Sequence, residues 1–137
     1  MKHALLLTML LATLFCVACG NSPGERANNL IERSNALFTE ICECSQELFE
    51  DNSLECIEDN TRDLEDEDCL DAAYGLNEEA SDAVLDCANQ VLSDFETCID
   101  QSDTCSEQAV CIERAEDAED LCPELPDAVR DELGDCD

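Results

Sequence analysis

The chain has 137 residues, 36 of them acidic and six basic, for a net charge of −30. Every acidic residue lies beyond position 18, where five arginines and no lysine remain; this part therefore carries −31 and repels nucleic acid and anionic lipid headgroups. It also has no histidine, methionine or tryptophan, which excludes a histidine general base, a Schiff-base lysine and a histidine–methionine copper site.

Met1-Lys2-His3 followed by the apolar run Ala4–Val17 reads as a secretory signal peptide over residues 1–18. Its basic end is short, and its apolar stretch is too short and too early for a transmembrane helix. An oxidising compartment follows, and the compartment decides how the cysteines are read. At the end of the run, Phe15-Cys16-Val17-Ala18-Cys19-Gly20-Asn21 resembles the lipobox of bacterial lipoproteins, with Ala18 as the small residue before the modified cysteine. The resemblance implies diacylglycerol on Cys19, a new N-terminus there, and a bilayer partner reached through the acyl chains. Gly20, rather than aspartate, after that cysteine implies the outer membrane in a cell that has one. Ordinary cleavage, with Ala18 and Gly20 as the small residues of the site, is the alternative and gives a secreted protein. Either route leaves ten thiols. Residues 19–27 read as the lipidated N-terminus and a flexible tether, because Asn21-Ser22-Pro23-Gly24 is polar and rich in turn residues.

Residues 28–137 read as one small acidic domain. Such a charge usually accompanies disorder, but aliphatic residues recur here at helical spacing and ten cysteines suit a folded unit. The first helix is expected over Asn28–Phe49, burying Leu30, Ser34, Leu37, Ile41, Cys44 and Leu48, with Phe38 and Phe49 widening the stripe. Short helices follow at Leu54–Leu64, capped by Ser53, and at Asp66–Tyr74, stopped by Gly75. A long helix over Glu78–Ile99, capped by Asn77, aligns Ala80, Val84, Cys87, Val91, Phe95 and Cys98. Another over Ser106–Leu121 aligns Gln108, Cys111, Ala115, Ala118 and Cys122, and is stopped by Pro123 and Pro126. Asp127–Leu133 is the last, ending at Gly134. Period-two runs of β-branched residues are missing from the sequence, so the fold class is all-α: a disulfide-stapled bundle of antiparallel helical hairpins.

Cys87 and Cys98 are eleven residues apart, as are Cys111 and Cys122, close to three helical turns or about 16 Å along one face. Opposed residues of an antiparallel hairpin have constant index sums, and both Cys87 with Cys122 and Cys98 with Cys111 add to 209. These two disulfides are therefore expected around a turn at Gln101–Cys105. The pattern resembles the twin-cysteine hairpins of coiled-coil-helix domains, although ten residues rather than nine separate the cysteines here. For the other six, which allow fifteen pairings, Cys44–Cys56, Cys42–Cys69 and Cys105–Cys136 are the expected set.

Chemistry is sparse. The glycines at 20, 24, 75 and 134 are too scattered for a phosphate loop. Cys42-Glu43-Cys44 sits among Glu40 and Glu47, where a thiolate is disfavoured; its two cysteines point to different helix faces and suit two disulfide partners. No pair of C-x-x-C motifs offers a tetrathiolate zinc site. Asp63, Glu65, Asp66, Glu67, Asp68 and Asp71 are the best oxygen ligands for a cation such as calcium, yet no calcium-loop spacing is present and a solvated surface is the simpler reading. Glu116-Asp117 and Glu119-Asp120 form a second acidic patch without loop geometry. The acidity also suits a salt-adapted surface. With 36 acids, any glycosidase-like carboxylate spacing occurs by chance. The expectation is a non-enzymatic, cofactor-free lipid-anchored envelope protein with a structural or protein-interaction role. The alternatives are low-affinity divalent-cation binding and a secreted inhibitor-like module.

Overall fold

The computed structural model describes residues 21–44 and 52–136. The signal peptide, Cys19, Gly20, Leu48 and Phe49 lie outside the described residues. Among the described residues the chain forms six α-helices and no strands: α1 Pro23–Ile41, α2 Ser53–Asn60, α3 Glu67–Gly75, α4 Glu78–Asp100, α5 Cys105–Glu119 and α6 Asp127–Leu133. The all-α, disulfide-stapled expectation holds.

The first helix starts earlier than its apolar periodicity suggests. Ser22 Oγ accepts the Glu25 amide at 3.2 Å, and Pro23 occupies the first helical position, where its missing N–H costs nothing. The residues expected to form a tether over 19–27 thus include a helix cap and the first turn. Gly24 and Ala27 are buried. At its other end α1 stops at Ile41 and tightens into a 3-10 turn over Cys42–Cys44, instead of running to Phe49.

Elsewhere the caps follow side-chain chemistry. Asn52, not Ser53, caps α2 by accepting from both Leu54 N and Glu55 N. Asp66 caps α3, Asn77 caps α4 and Thr104 caps α5. The first of these short helices ends at Asn60 rather than Leu64, and residues 61–66 run extended along α1. Two asparagines on α1 hold that run. Asn35 exchanges two hydrogen bonds with the Arg62 backbone (2.7 and 2.9 Å), and Asn28 does the same with Glu65 (3.0 and 3.1 Å). Seven helical residues and three extended ones both span about 10 Å, so the spacings match.

The long α4 forms the centre, packed by α1 on one side and α5 on the other; α3 packs on α1 and carries α6. One core cluster joins Leu37 and Ile41 of α1 to Phe95 and Ile99 of α4 and Cys111 of α5. A second joins Ala27, Leu70 and Leu85. The buried stripe of α4 is Ser81, Leu85, Phe95 and Ile99, rotated by about one residue from the expected stripe. Polar Ser81 is tolerated there because its hydroxyl donates to the Tyr74 carbonyl at 2.8 Å.

Arginines stitch α1 to α4. Arg33 grips Glu96 through two bonds, Nε–Oε1 at 2.9 Å and Nη2–Oε2 at 2.6 Å, and also donates to Asn89 and Ser93. The hydrogen bond to Glu96 raises the Arg33 pKa further above its usual value, against the opposing effect of burial. One helical heptad earlier, Arg26 pairs with Asp82 at 2.7 Å and Asp86 at 2.5 Å. Arg33→Met is expected to destabilise the domain by about 2 kcal/mol in urea unfolding, because a half-buried charged donor is lost while Glu96 stays behind. A loss below half a kcal/mol, about that of an exposed pair, would show that solvent already screens it.

Candidate binding groove

All ten described cysteines are paired. Cys98–Cys111 and Cys87–Cys122, the pairs with equal index sums, are the two rungs of the α4–α5 hairpin. The other three are Cys42–Cys56, Cys44–Cys105 and Cys69–Cys136, each with Cα atoms 5.6–5.7 Å apart. They replace the expected Cys44–Cys56, Cys42–Cys69 and Cys105–Cys136. The early stop of α1 is the physical reason. The 3-10 turn places Cys42 inward beneath α2, where buried Cys56 meets it, and presents Cys44 to the tip of the α4–α5 hairpin at Cys105. Cys69 belongs to α3, on which α6 packs, so its partner is the C-terminal Cys136. The two cysteines of Cys42-Glu43-Cys44 do bond to different partners. Five structural disulfides mark an oxidising compartment outside the cytoplasm. No helix among the described residues is long and apolar enough to cross a membrane.

Of the six candidate cation ligands, three side chains make hydrogen bonds within the fold. Asp66 Oδ1 accepts the Cys69 amide at 2.9 Å as a helix cap. Asp71 Oδ1 accepts the Gly24 amide at 2.6 Å, and Glu67 accepts the Ser22 hydroxyl at 3.3 Å. Glu65 meets Asn28 through its backbone, while Asp63 and Asp68 are exposed. No group of three or more His, Cys, Asp or Glu side chains able to hold a metal ion occurs among the described residues.

Tyr74 is the one tyrosine of the chain. Burial, with a smaller contribution from the Glu65 charge, pushes its phenol above the ordinary value of 10.0. The folded state then holds this proton where the unfolded state has lost it. Tyr74 therefore contributes stability below pH 10 that falls away as the pH climbs from there toward the folded value. A phenolate absorbance titration is expected to show a midpoint above that of the urea-unfolded protein; equal midpoints would refute the burial argument.

A groove of about 420 Å³ with a mostly apolar lining runs over α4 between α1 and α5. Val84, Ala88, Val91 and Phe95 of α4 form its floor at helical spacing. Leu30, Ser34 and Phe38 make the α1 wall, and Ile112 and Ala115 the α5 wall. Phe38 meets Phe95 edge to face, with ring centroids 6.4 Å apart. Val84 and Val91 belong to the stripe that the sequence suggests is core. They are only half-buried, because α1 and α5 both pack on α4 and leave this stripe open between them. Disulfides fix both walls: Cys44–Cys105 ties the chain just past α1 to the start of α5, and Cys122 of the outer hairpin rung lines the groove. The rim is acidic. Glu116 and Glu119 line the groove, and Asp59 lines the adjoining hollow with Glu119. None of the three is in an ion pair among the described residues.

Sequence reasoning missed the groove because an apolar stripe carries no mark of what covers it. The asparagine pair at seven-residue spacing was the available sign that α1 spends one face on backbone rather than on a helix. No protein-family model matches the chain, and no curated protein or solved structure matches it either.

Proposed function

We propose that this protein is a lipid-anchored component of the cell envelope that acts by holding another protein, without a catalytic step of its own. The observation that carries the interaction role is the open apolar groove, whose walls are held by disulfides as well as by packing on α4. A fixed concavity binds without first ordering its own walls, which favours affinity. The lipobox-like segment ending at Cys19 supports the anchor, and the absence of histidine and lysine beyond residue 18 supports a non-catalytic role.

The test is carried out in the cells that make the protein. Cys19→Ser is expected to abolish incorporation of labelled palmitate and to move the protein from the membrane fraction to the soluble one. A photo-crosslinking side chain at Val84 is expected to give a discrete adduct, and the same group at exposed Ala72 none. Unchanged partition of the Cys19 variant would overturn the anchor; identical adduct patterns would overturn the interaction role.

A further inference from the structure

We propose that the occupant of the groove is a basic amphipathic helix supplied by a partner protein, an inference that rests on the interaction role above. Three observations combine. The first is shape. From Val84 to Phe95 the floor runs eleven residues along α4, about 16 Å, which matches three turns of a helix laid between the two walls. Such a groove reads apolar anchors at i, i+3 or i+4, and i+7.

The second is chemistry across the section. The floor and inner walls are aliphatic and aromatic, whereas Glu116, Glu119 and Asp59 stand at the edges with no cation paired to them among the described residues. A helix with an apolar face and flanking lysines or arginines satisfies both zones together. An acidic or neutral apolar segment satisfies only the floor. Arg62, in the adjoining hollow with Asp59, leaves the rim net negative.

The third is the balance of charge within the domain. Of its five arginines, Arg26 and Arg33 are spent on the α1–α4 seam and Arg130 on its own helix partner Asp127. Arg62 and Arg114 are in no ion pair among the described residues, so only two unspent cations stand against a net charge of −31, too few to neutralise the acidic surface that includes this rim. The same charge disfavours a second copy as occupant, since two such faces repel at close range. It also steers a basic partner inward and speeds encounter.

Overall acidity alone would attract any polycation, so the test must separate groove from charge. The processed, lipidated full chain is held in phosphatidylcholine nanodiscs, with empty discs as reference. Three synthetic probes are applied: a leucine–lysine peptide with an amphipathic helical pattern, its scrambled isomer of equal charge, and a leucine–glutamate counterpart. The patterned basic peptide is expected to bind about tenfold more tightly than the scrambled one, with no binding of the acidic one. Ala88→Gln in the floor should remove that tenfold preference. Glu116→Gln with Glu119→Gln, both exposed positions that leave the fold intact, should weaken the patterned peptide about fivefold.

Equal binding of the patterned and scrambled peptides would overturn the proposal in favour of bulk charge. Equal binding of the acidic peptide would overturn the choice of partner. Mutual competition between protein copies, seen as a concentration-dependent mass without peptide, would assign the groove to self-association. Palmitate labelling and the Val84 adduct are read separately. A protein that labels and crosslinks but ignores the basic peptide loses this inference alone.

Discussion

Replacing Cys44 and Cys105 together by serine will lower the unfolding free energy of the oxidised domain by about 4 kcal/mol. The bridge closes a stretch of 61 residues, and in the chain-entropy picture such a loop is worth more than the about 3 kcal/mol of the 13-residue Cys98–Cys111 loop. The loops overlap, so part of the effect is shared with Cys87–Cys122, and a measured loss nearer 3 kcal/mol remains in line. The local consequence is larger than the number suggests. α1 and α5 both pack on α4, and this bridge is the covalent link between the turn that follows α1 and the start of α5. Urea unfolding is expected to show the loss as a lower midpoint with little change in slope. A loss under 1 kcal/mol would mean that packing on α4 alone sets the wall separation.

Gly24→Ala will cost about 3 kcal/mol, while Gly75→Ala will be neutral or gain up to about 1 kcal/mol. The first position allows α1 to approach α3 closely. A Cβ there would lie 2.6 Å from the Glu67 carbonyl oxygen and 2.9 Å from Asp71 Oδ1, the atom that accepts the Gly24 amide. Backbone must move to relieve the clash, and the hydrogen bond joining the two helices goes with it. At Gly75 nothing lies within 4 Å of an added Cβ, and the residue is helical, so alanine only removes freedom from the unfolded chain. Thermal unfolding of the two variants side by side checks the opposite signs. Equal shifts would show that the α1–α3 seam yields without loss.

Periodicity carried much of the fold in the sequence. The helices at Glu78–Asp100 and Asp127–Leu133 stand where caps and prolines place them, and the two hairpin rungs follow from rise per residue alone. What was hidden depends on contacts between distant segments. Ser22-Pro23-Gly24 has the composition of a linker, and only the proximity of α3 turns it into a cap and a close helix crossing. The same holds for Asn28 and Asn35, unremarkable polar residues until residues 61–66 lie beside them. The end of α1 mattered most. Once it stops at Ile41 instead of Phe49, Cys42 takes the partner expected for Cys44, Cys44 turns to Cys105, and three pairings change together. For the groove, the stripe through Val84 and Val91 was visible, but its being left open depends on where the walls are tied.

The order of the bridges along the chain bears on how the protein is made. A polypeptide entering an oxidising space N-terminus first, with each cysteine joined to the next to emerge, would collect Cys42–Cys44, Cys56–Cys69, Cys87–Cys98, Cys105–Cys111 and Cys122–Cys136. Not one of these is native. Reaching the final connectivity requires thiolate attack on bonds already formed, a shuffling reaction that proceeds over seconds to hours and depends on an isomerase catalyst. A chain that bridges in order of emergence is therefore limited by the exchange capacity of its compartment, and a stronger oxidant would trap it wrongly bridged instead of rescuing it.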